Sequence, residues 1–283
     1  MLTVSLMLIL VCCGTMQNVF RKPFANRFNG KGTHIFNAFT TGTAAIFFAV
    51  ISGGLKFETA ILPYVLALSV CYATSTITFM LALSCGPLSL SSLILSFSAI
   101  IPTCYGIVLG EPIKYFSFVP GLILLFVSLV LTNKPEKNQK ISLKWLVLIL
   151  TSSICSGFCA VFQTAQQVAF KEQFGNELMF CTLLIVTVVF LIFSIITERK
   201  ELKLYLKSGA YLGALTGVCN GGLNLMQLLL RPLMGAALLF PIYSGGTLIL
   251  TFFISTFFYK EKLSKIQILG FVLGLGSVIL LSM

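Results

Sequence analysis

The chain has 283 residues, of which 57% are hydrophobic and 10% charged, with a mean hydropathy of +1.00. Soluble domains carry roughly 25% charged residues, so this composition excludes a soluble domain and specifies a membrane protein. The net charge of +11 would point to nucleic acid in a soluble chain; here the basic residues lie in short gaps between apolar runs, where they set topology and meet lipid headgroups.

A span of about 20 residues crosses about 30 Å of hydrocarbon, which leaves room for roughly ten helices. Helix 1 is predicted over Met1–Phe20 and stops at Arg21-Lys22-Pro23. It is too long for a signal peptide and no small-residue cleavage site follows it. Helix 2 covers Thr33–Ser52 and helix 3 Thr59–Ser84. Gly86-Pro87 then forces a tight reversal, with glycine supplying the turn and proline tolerated at a first helical position. Helix 4 occupies Leu88–Leu109 and helix 5 Phe116–Leu131. A hydrophilic linker follows at 133–144, and helices 6 to 10 are expected over Trp145–Phe170, Leu178–Thr197, Ser208–Leu230, Leu233–Tyr259 and Ile266–Met283. Trp145 reads as an interface anchor.

The two parts of the chain, 1–132 and 145–283, end alike. Gly110-Glu111-Pro112-Ile113-Lys114 precedes an apolar run with Gly121; Tyr259-Lys260-Glu261-Lys262-Leu263 precedes another with Gly270. Gly14 matches Gly157 and Thr33-His34 matches Asn176-Glu177 at an offset of 143, Pro87 matches Pro232 at 145, and Glu111 matches Glu261 at 150. A five-helix unit crosses the membrane an odd number of times, so its second copy is inverted, the architecture associated with alternating access and a midplane site. The expected fold is therefore all-α and polytopic, with ten transmembrane helices as two inverted five-helix repeats. Of the 19 Lys and Arg residues, only Lys56, Lys114, Lys171 and Arg231 fall in the loops after helices 2, 4, 6 and 8. The other loops are then cytoplasmic, and both termini face outward.

The residues Ala82-Leu83-Ser84-Cys85-Gly86-Pro87-Leu88-Ser89, Leu109-Gly110-Glu111-Pro112 and Tyr259-Lys260-Glu261-Lys262-Leu263 with Gly270 resemble the drug/metabolite transporter superfamily in its ten-helix EamA-like branch. The resemblance covers essentially the whole chain. It implies a basket in which helices 1 to 4 and 6 to 9 surround a central cavity, with helices 5 and 10 at the periphery. It also implies a secondary carrier of small organic solutes, often an exporter, in a bacterial plasma membrane. Cytoplasmic termini are its expectation, opposite to the charge count.

Carriers keep an ionisable group at mid-membrane only where function requires it, because it costs about 2.5 to 3.5 kcal/mol on insertion scales. None is expected here: Asp is absent and every Glu lies at a helix end or in a loop. Small four-helix relatives exchange protons through a glutamate in helix 1, where this chain offers Cys12, Cys13, Gly14, Thr15, Gln17 and Asn18. His34 and Glu177 are the titratable candidates for coupling, or else interfacial polar residues. Glu111 and Glu261 read as helix-boundary residues pairing with a lysine or a helix N-terminus.

Neutral polar residues are better placed for a substrate. Thr216, Asn220, Asn224 and Gln227 recur at i, i+4, i+8 and i+11 on one face of helix 8, beside Gly221-Gly222. Buried amides need partners, so this stripe meets substrate or a neighbouring helix. Tyr243 and Ser244 of helix 9, Gln163 of helix 6, Ser96 of helix 4, Tyr72 and Tyr105 complete the candidate substrate-binding set. Ser89, Ser92 and Ser96 also form a stripe suited to packing. Pro241 with Gly245 and Gly246, and Pro102 in helix 4, are candidate gating positions, since proline removes a backbone donor and glycine loosens the ladder. Eight cysteines (Cys12, Cys13, Cys71, Cys104, Cys155, Cys159, Cys181, Cys219) lie inside apolar runs and Cys85 at the end of one. Without CxxC or Cys/His spacing they read as small buried side chains, with no metal site, disulfide or cofactor.

The expected function is secondary transport of a small neutral, zwitterionic or amphipathic metabolite or drug, by a monomer or homodimer among membrane lipids with no nucleic-acid partner. The alternative is a non-transporting scaffold or sensor that retains the fold. A membrane enzyme would need a nucleophile and base, a metal set or paired carboxylates at membrane depth, and the pattern supplies none.

Overall fold

Backbone groups in hydrocarbon must bond within their own segment, so each apolar run becomes a helix. The computed structural model of the chain describes residues 2–28, 30–85, 91, 94–111, 115–132, 142–199, 201–258 and 265–282. They form α1 (Leu2–Phe28), α2 (Thr33–Ile51), α3 (Leu62–Cys85), α4 (Ile100–Val108), α5 (Tyr115–Thr132), α6 (Leu143–Ala169), α7 (Gly175–Thr197), α8 (Leu202–Phe258) and α9 (Lys265–Ser282), with no strand among the described residues. Among the described residues, six spans, in α1, α2, α3, α6, α7 and α8, are long and apolar enough to cross a membrane. Shorter apolar helices cover Ile94–Val108, Phe116–Ser128 and Ile268–Leu281. The Gly86-Pro87 reversal, Ser89, Ser92, most of the linker and the Tyr259–Leu263 turn lie outside the described residues.

Helix ends are fixed by side chains that take the orphan amides. Ser142 caps α6 by accepting from the Trp145 amide at 3.2 Å. Glu58 accepts from Ala60 at the 3-10 turn Thr59–Ile61 that leads into α3. Across the chain, Glu198 at the end of α7 accepts from the amides of His34 (2.9 Å) and Ile35 (3.0 Å) at the start of α2, a carboxylate on a helix N-terminus.

Helices 1, 8 and 9 depart from expectation. Helix 1 does not stop at Arg21-Lys22-Pro23 but runs on to Phe28 with Pro23 inside it. Predicted helices 8 and 9 form one helical run of 57 residues, broken at Gly235, whose φ of 76° and ψ of 160° suit only glycine. The run therefore has a first arm, 202–234, and a second, 236–258.

Packing joins distant parts of the sequence: α1 with α8, α3 with α6, α2 with α7, and α5 with α9. A main core of Ala44, Phe48, Val65, Leu68, Leu178, Met179 and Leu183 sits where α2, α3 and α7 meet. The outer surface is apolar, with Val4, Leu8, Ile46, Val50, Val108 and Phe116 exposed, as a lipid-facing shell requires. Trp145 is not an interface anchor. It is 1% exposed and its indole donates to Ser91 Oγ at 2.8 Å, because a buried N–H needs an acceptor. Nor are all the cysteines buried, since Cys12 and Cys104 are exposed on outward helix faces.

Candidate functional site

Inside the apolar shell lies a polar cavity of ≈ 210 Å³. α1 supplies Gly14, Gln17, Asn18 and Arg21; α3 supplies Tyr72, Ser75, Thr76 and Phe79; Leu95, Ser98, Ala99 and Pro102 come from the α4 segment. From the second part of the chain α6 adds Ser152, Ser156, Cys159, Ala160 and Gln163, and α8 adds Asn220, Leu223, Asn224, Gln227, Phe240, Tyr243 and Ser244. The stretches 1–132 and 145–283 thus share one chamber. α2 and α7 contribute no lining residue.

The amides form a chain of hydrogen bonds. Tyr72 Oη donates to Asn220 Oδ1 at 2.8 Å; Asn224 Nδ2 donates to the Asn220 carbonyl at 2.9 Å; Gln163 Nε2 donates to Asn224 Oδ1 at 3.1 Å. Arg231 extends it: Nη2 donates to Gln163 Oε1 at 3.1 Å and Nη1 to Gln167 Oε1, while Gln167 Nε2 donates to the Leu228 carbonyl at 2.9 Å. The Arg231 guanidinium also lies 5.8 Å over the Phe240 ring. Arg231 is 5% exposed, so it is a buried member of the bundle and not a loop charge. Each bond contributes about 1 kcal/mol net, but a buried partner left unpaired costs about 1–3 kcal/mol, which makes the chain rigid as a set. Ser75 and Ser152 close the α3–α6 seam, each hydroxyl donating to the other's carbonyl at 3.1 and 3.0 Å.

Arg21, expected in the loop after helix 1, instead lies inside α1 as the last residue of its apolar span. It is 7% exposed and lines the cavity from α1. With the Gln17 amide turned to present its oxygen, Arg21 Nη2 and Nη1 donate to it at 2.7 and 3.2 Å. Gly14, Gln17 and Arg21 recur at i, i+3 and i+7, one helical face. That signal was present in the sequence, but reading Arg21-Lys22-Pro23 as a stop hid it.

Of the predicted residues, Asn220, Asn224, Gln227, Tyr72, Tyr243, Ser244, Gln163 and Pro102 are brought together at the cavity. Thr216 is not: it is buried one turn beyond, its hydroxyl donating to the Leu212 carbonyl at 2.7 Å. Ser96 faces a separate apolar groove of ≈ 330 Å³ with Phe97, Ile100, Leu122, Phe126 and Pro241. Tyr105 lines neither space. Pro241, Gly245 and Gly246 remain helical; the break is at Gly235. Gly246 accommodates Val11 of α1. His34 and Glu177 occupy the matching starts of α2 and α7, away from the cavity. The His34 ring stacks on Phe193 at 5.7 Å, and Glu177 accepts from the Lys56 amide at 3.1 Å. Glu111 does take a helix N-terminus, accepting from Ala236 at 2.9 Å and Ala237 at 2.7 Å just after the Gly235 break.

An apolar helical shell around a polar chamber defines an integral, multi-pass membrane protein. Residues 143–283 match the EamA-like transporter family, and the chain belongs to that family, within the drug/metabolite transporter superfamily. No curated protein matches. A solved crystal structure is similar over 98% of this chain and 96% of its own, with 13% identity and a TM-score of 0.73, a likeness of fold.

Proposed function

We propose that the chain is a secondary active transporter, working as an exporter in a bacterial plasma membrane, that moves a small organic solute through this chamber and catalyses no covalent chemistry. The observation that carries the reading is the shared polar chamber: a site built from both parts of the chain can be exposed to either side by rocking one part against the other.

The inverted repeat, with the linker at 133–144 between two five-helix units, is part of the same proposal. If the two arms of α8 count as helices 8 and 9, exchanging the halves turns the α3–α6 contact into α1–α8 and the α2–α8 contact into α3–α7, and both members of each pair are present. Gly14 packs against Tyr243, and its partner Gly157 packs against Ile101 and the carbonyl of Ser98, the latter 145 residues before Tyr243. Moving Arg21 and Arg231 out of the loops leaves the charge asymmetry intact, so outward termini stay the proposed orientation. Accessibility of terminal tags in intact cells tests it, and protected termini reverse it.

Reconstituted protein should accumulate or release solutes across proteoliposomes, and substitution of Asn220 or Asn224 should stop the flux. A chain that binds solutes but moves none would be a sensor that retains the fold.

A further inference from the structure

A cation buried among helices is stable only with an opposite charge beside it or polar groups that replace water. Among the described residues, Arg21 has the second in part and the first not at all. The Gln17 oxygen takes its two terminal nitrogens, and Nε is buried without a partner. The chain has no Asp and eight Glu. Among the described residues, Glu58, Glu111, Glu177 and Glu198 accept from backbone amides, Glu201 pairs with Tyr205, and Glu172 is exposed. No described Glu lines the cavity. Arg231, whose Nε is likewise buried without a partner, differs in that it is tied to Gln163 and Gln167, lies over Phe240 and does not line the chamber.

We propose that the cavity takes a small organic anion, a carboxylate or a phosphate monoester, whose negative group pairs with Arg21 while its polar remainder meets Asn220, Asn224 and Gln227. This rests on the carrier reading and narrows it, replacing a neutral solute with an anionic one. Buried in the bundle, Arg21 has no carboxylate partner among the described residues, so the charge it lacks arrives with the substrate. The site then discriminates against uncharged analogues because they leave the guanidinium unpaired.

The test presents the purified full-length protein with a defined mixture of small carboxylates, phosphate monoesters and their uncharged amides and alcohols. Thermal stabilisation reports binding, and mass spectrometry of proteoliposome contents reports transport. Anions should stabilise the wild type and their neutral isosteres should not. Arg21→Gln should weaken anion binding on the order of 30-fold or more, while Arg21→Lys, which keeps the charge, should retain the preference for anions. Equal response to anions and isosteres in the wild type overturns the inference without recourse to any variant. So does an Arg21→Gln protein that still prefers anions. Anion binding without accumulation of any solute would sink the carrier reading and leave the anion site standing; accumulation of neutral solutes alone would do the reverse.

Discussion

The carboxylate of Glu111 holds the amide of Ala237 at 2.7 Å, 126 residues further along the chain, and that of Ala236 at 2.9 Å. One residue from the first part of the sequence thereby caps a helix arm in the second. The cap exists because Gly235 breaks α8 and exposes a new helix N-terminus inside the bundle.

Glu111→Ala should therefore destabilise the protein by about 1–3 kcal/mol, from the lost cap and the lost charge on the helix dipole. Glu111→Gln, which keeps one acceptor oxygen, should lose less. Thermal unfolding in detergent reads both, and an unchanged midpoint in the alanine variant would show that the cap carries no stability.

At Gly235 the same junction should reject a side chain. An alanine there would adopt a conformation essentially reserved for glycine and put its Cβ 2.6 Å from Glu111 Oε2. The expected loss is about 1–3 kcal/mol. A variant as stable as wild type, measured by the same unfolding, would place the break elsewhere.

Gly14 leaves room for Tyr243, whose Cε2 would lie 2.9 Å from an added Cβ. Gly14→Val should lower stability, and Tyr243→Ala in the same chain should recover part of the loss, with a coupling of about 1 kcal/mol. Additive effects in the double-mutant cycle would mean that the two residues do not meet in the folded protein.

Replacement of Asn224 by Leu removes the acceptor of Gln163, and replacement of Asn220 by Leu removes that of Tyr72. Each should cost about 1–3 kcal/mol yet leave membrane insertion and yield intact, while flux falls to background. Unaltered flux in proteoliposomes would reduce the stripe to helix packing.

Much of the site was legible because it lies on a regular helix. Asn220, Asn224 and Gln227 keep the helical period, and burial of amides requires partners whatever the tertiary arrangement. Thr216 shared the period but not the chamber, since a hydroxyl can satisfy itself on its own helix, and periodicity does not say where a cavity ends. Arg21 was misread for the opposite reason. Basic residues flank spans and proline ends helices, so Arg21-Lys22-Pro23 reads as a boundary, and only the neighbours that α3 and α8 bring to α1 turn that side chain inward. Arg231-Pro232 misled in the same way, with the helix carrying on to Gly235. The break itself follows from a single backbone dihedral that composition does not encode, whereas Pro241, the more conspicuous residue, bends nothing out of the helical range.

If Arg21 binds an anion in the carrier cycle proposed above, its guanidinium, at the end of the apolar span Leu2–Arg21, also stands in the electric field of the membrane. Moving one elementary charge through 100 mV is worth about 2.3 kcal/mol. If the chamber opens first to one face and then to the other, as proposed, the voltage drop across this fixed charge shifts with it. In that proposed cycle a chamber loaded with a monoanion is neutral and indifferent to voltage, whereas the empty chamber carries one positive charge and its return step is electrogenic. Voltage then acts on the resetting of the cycle and not on delivery of the cargo.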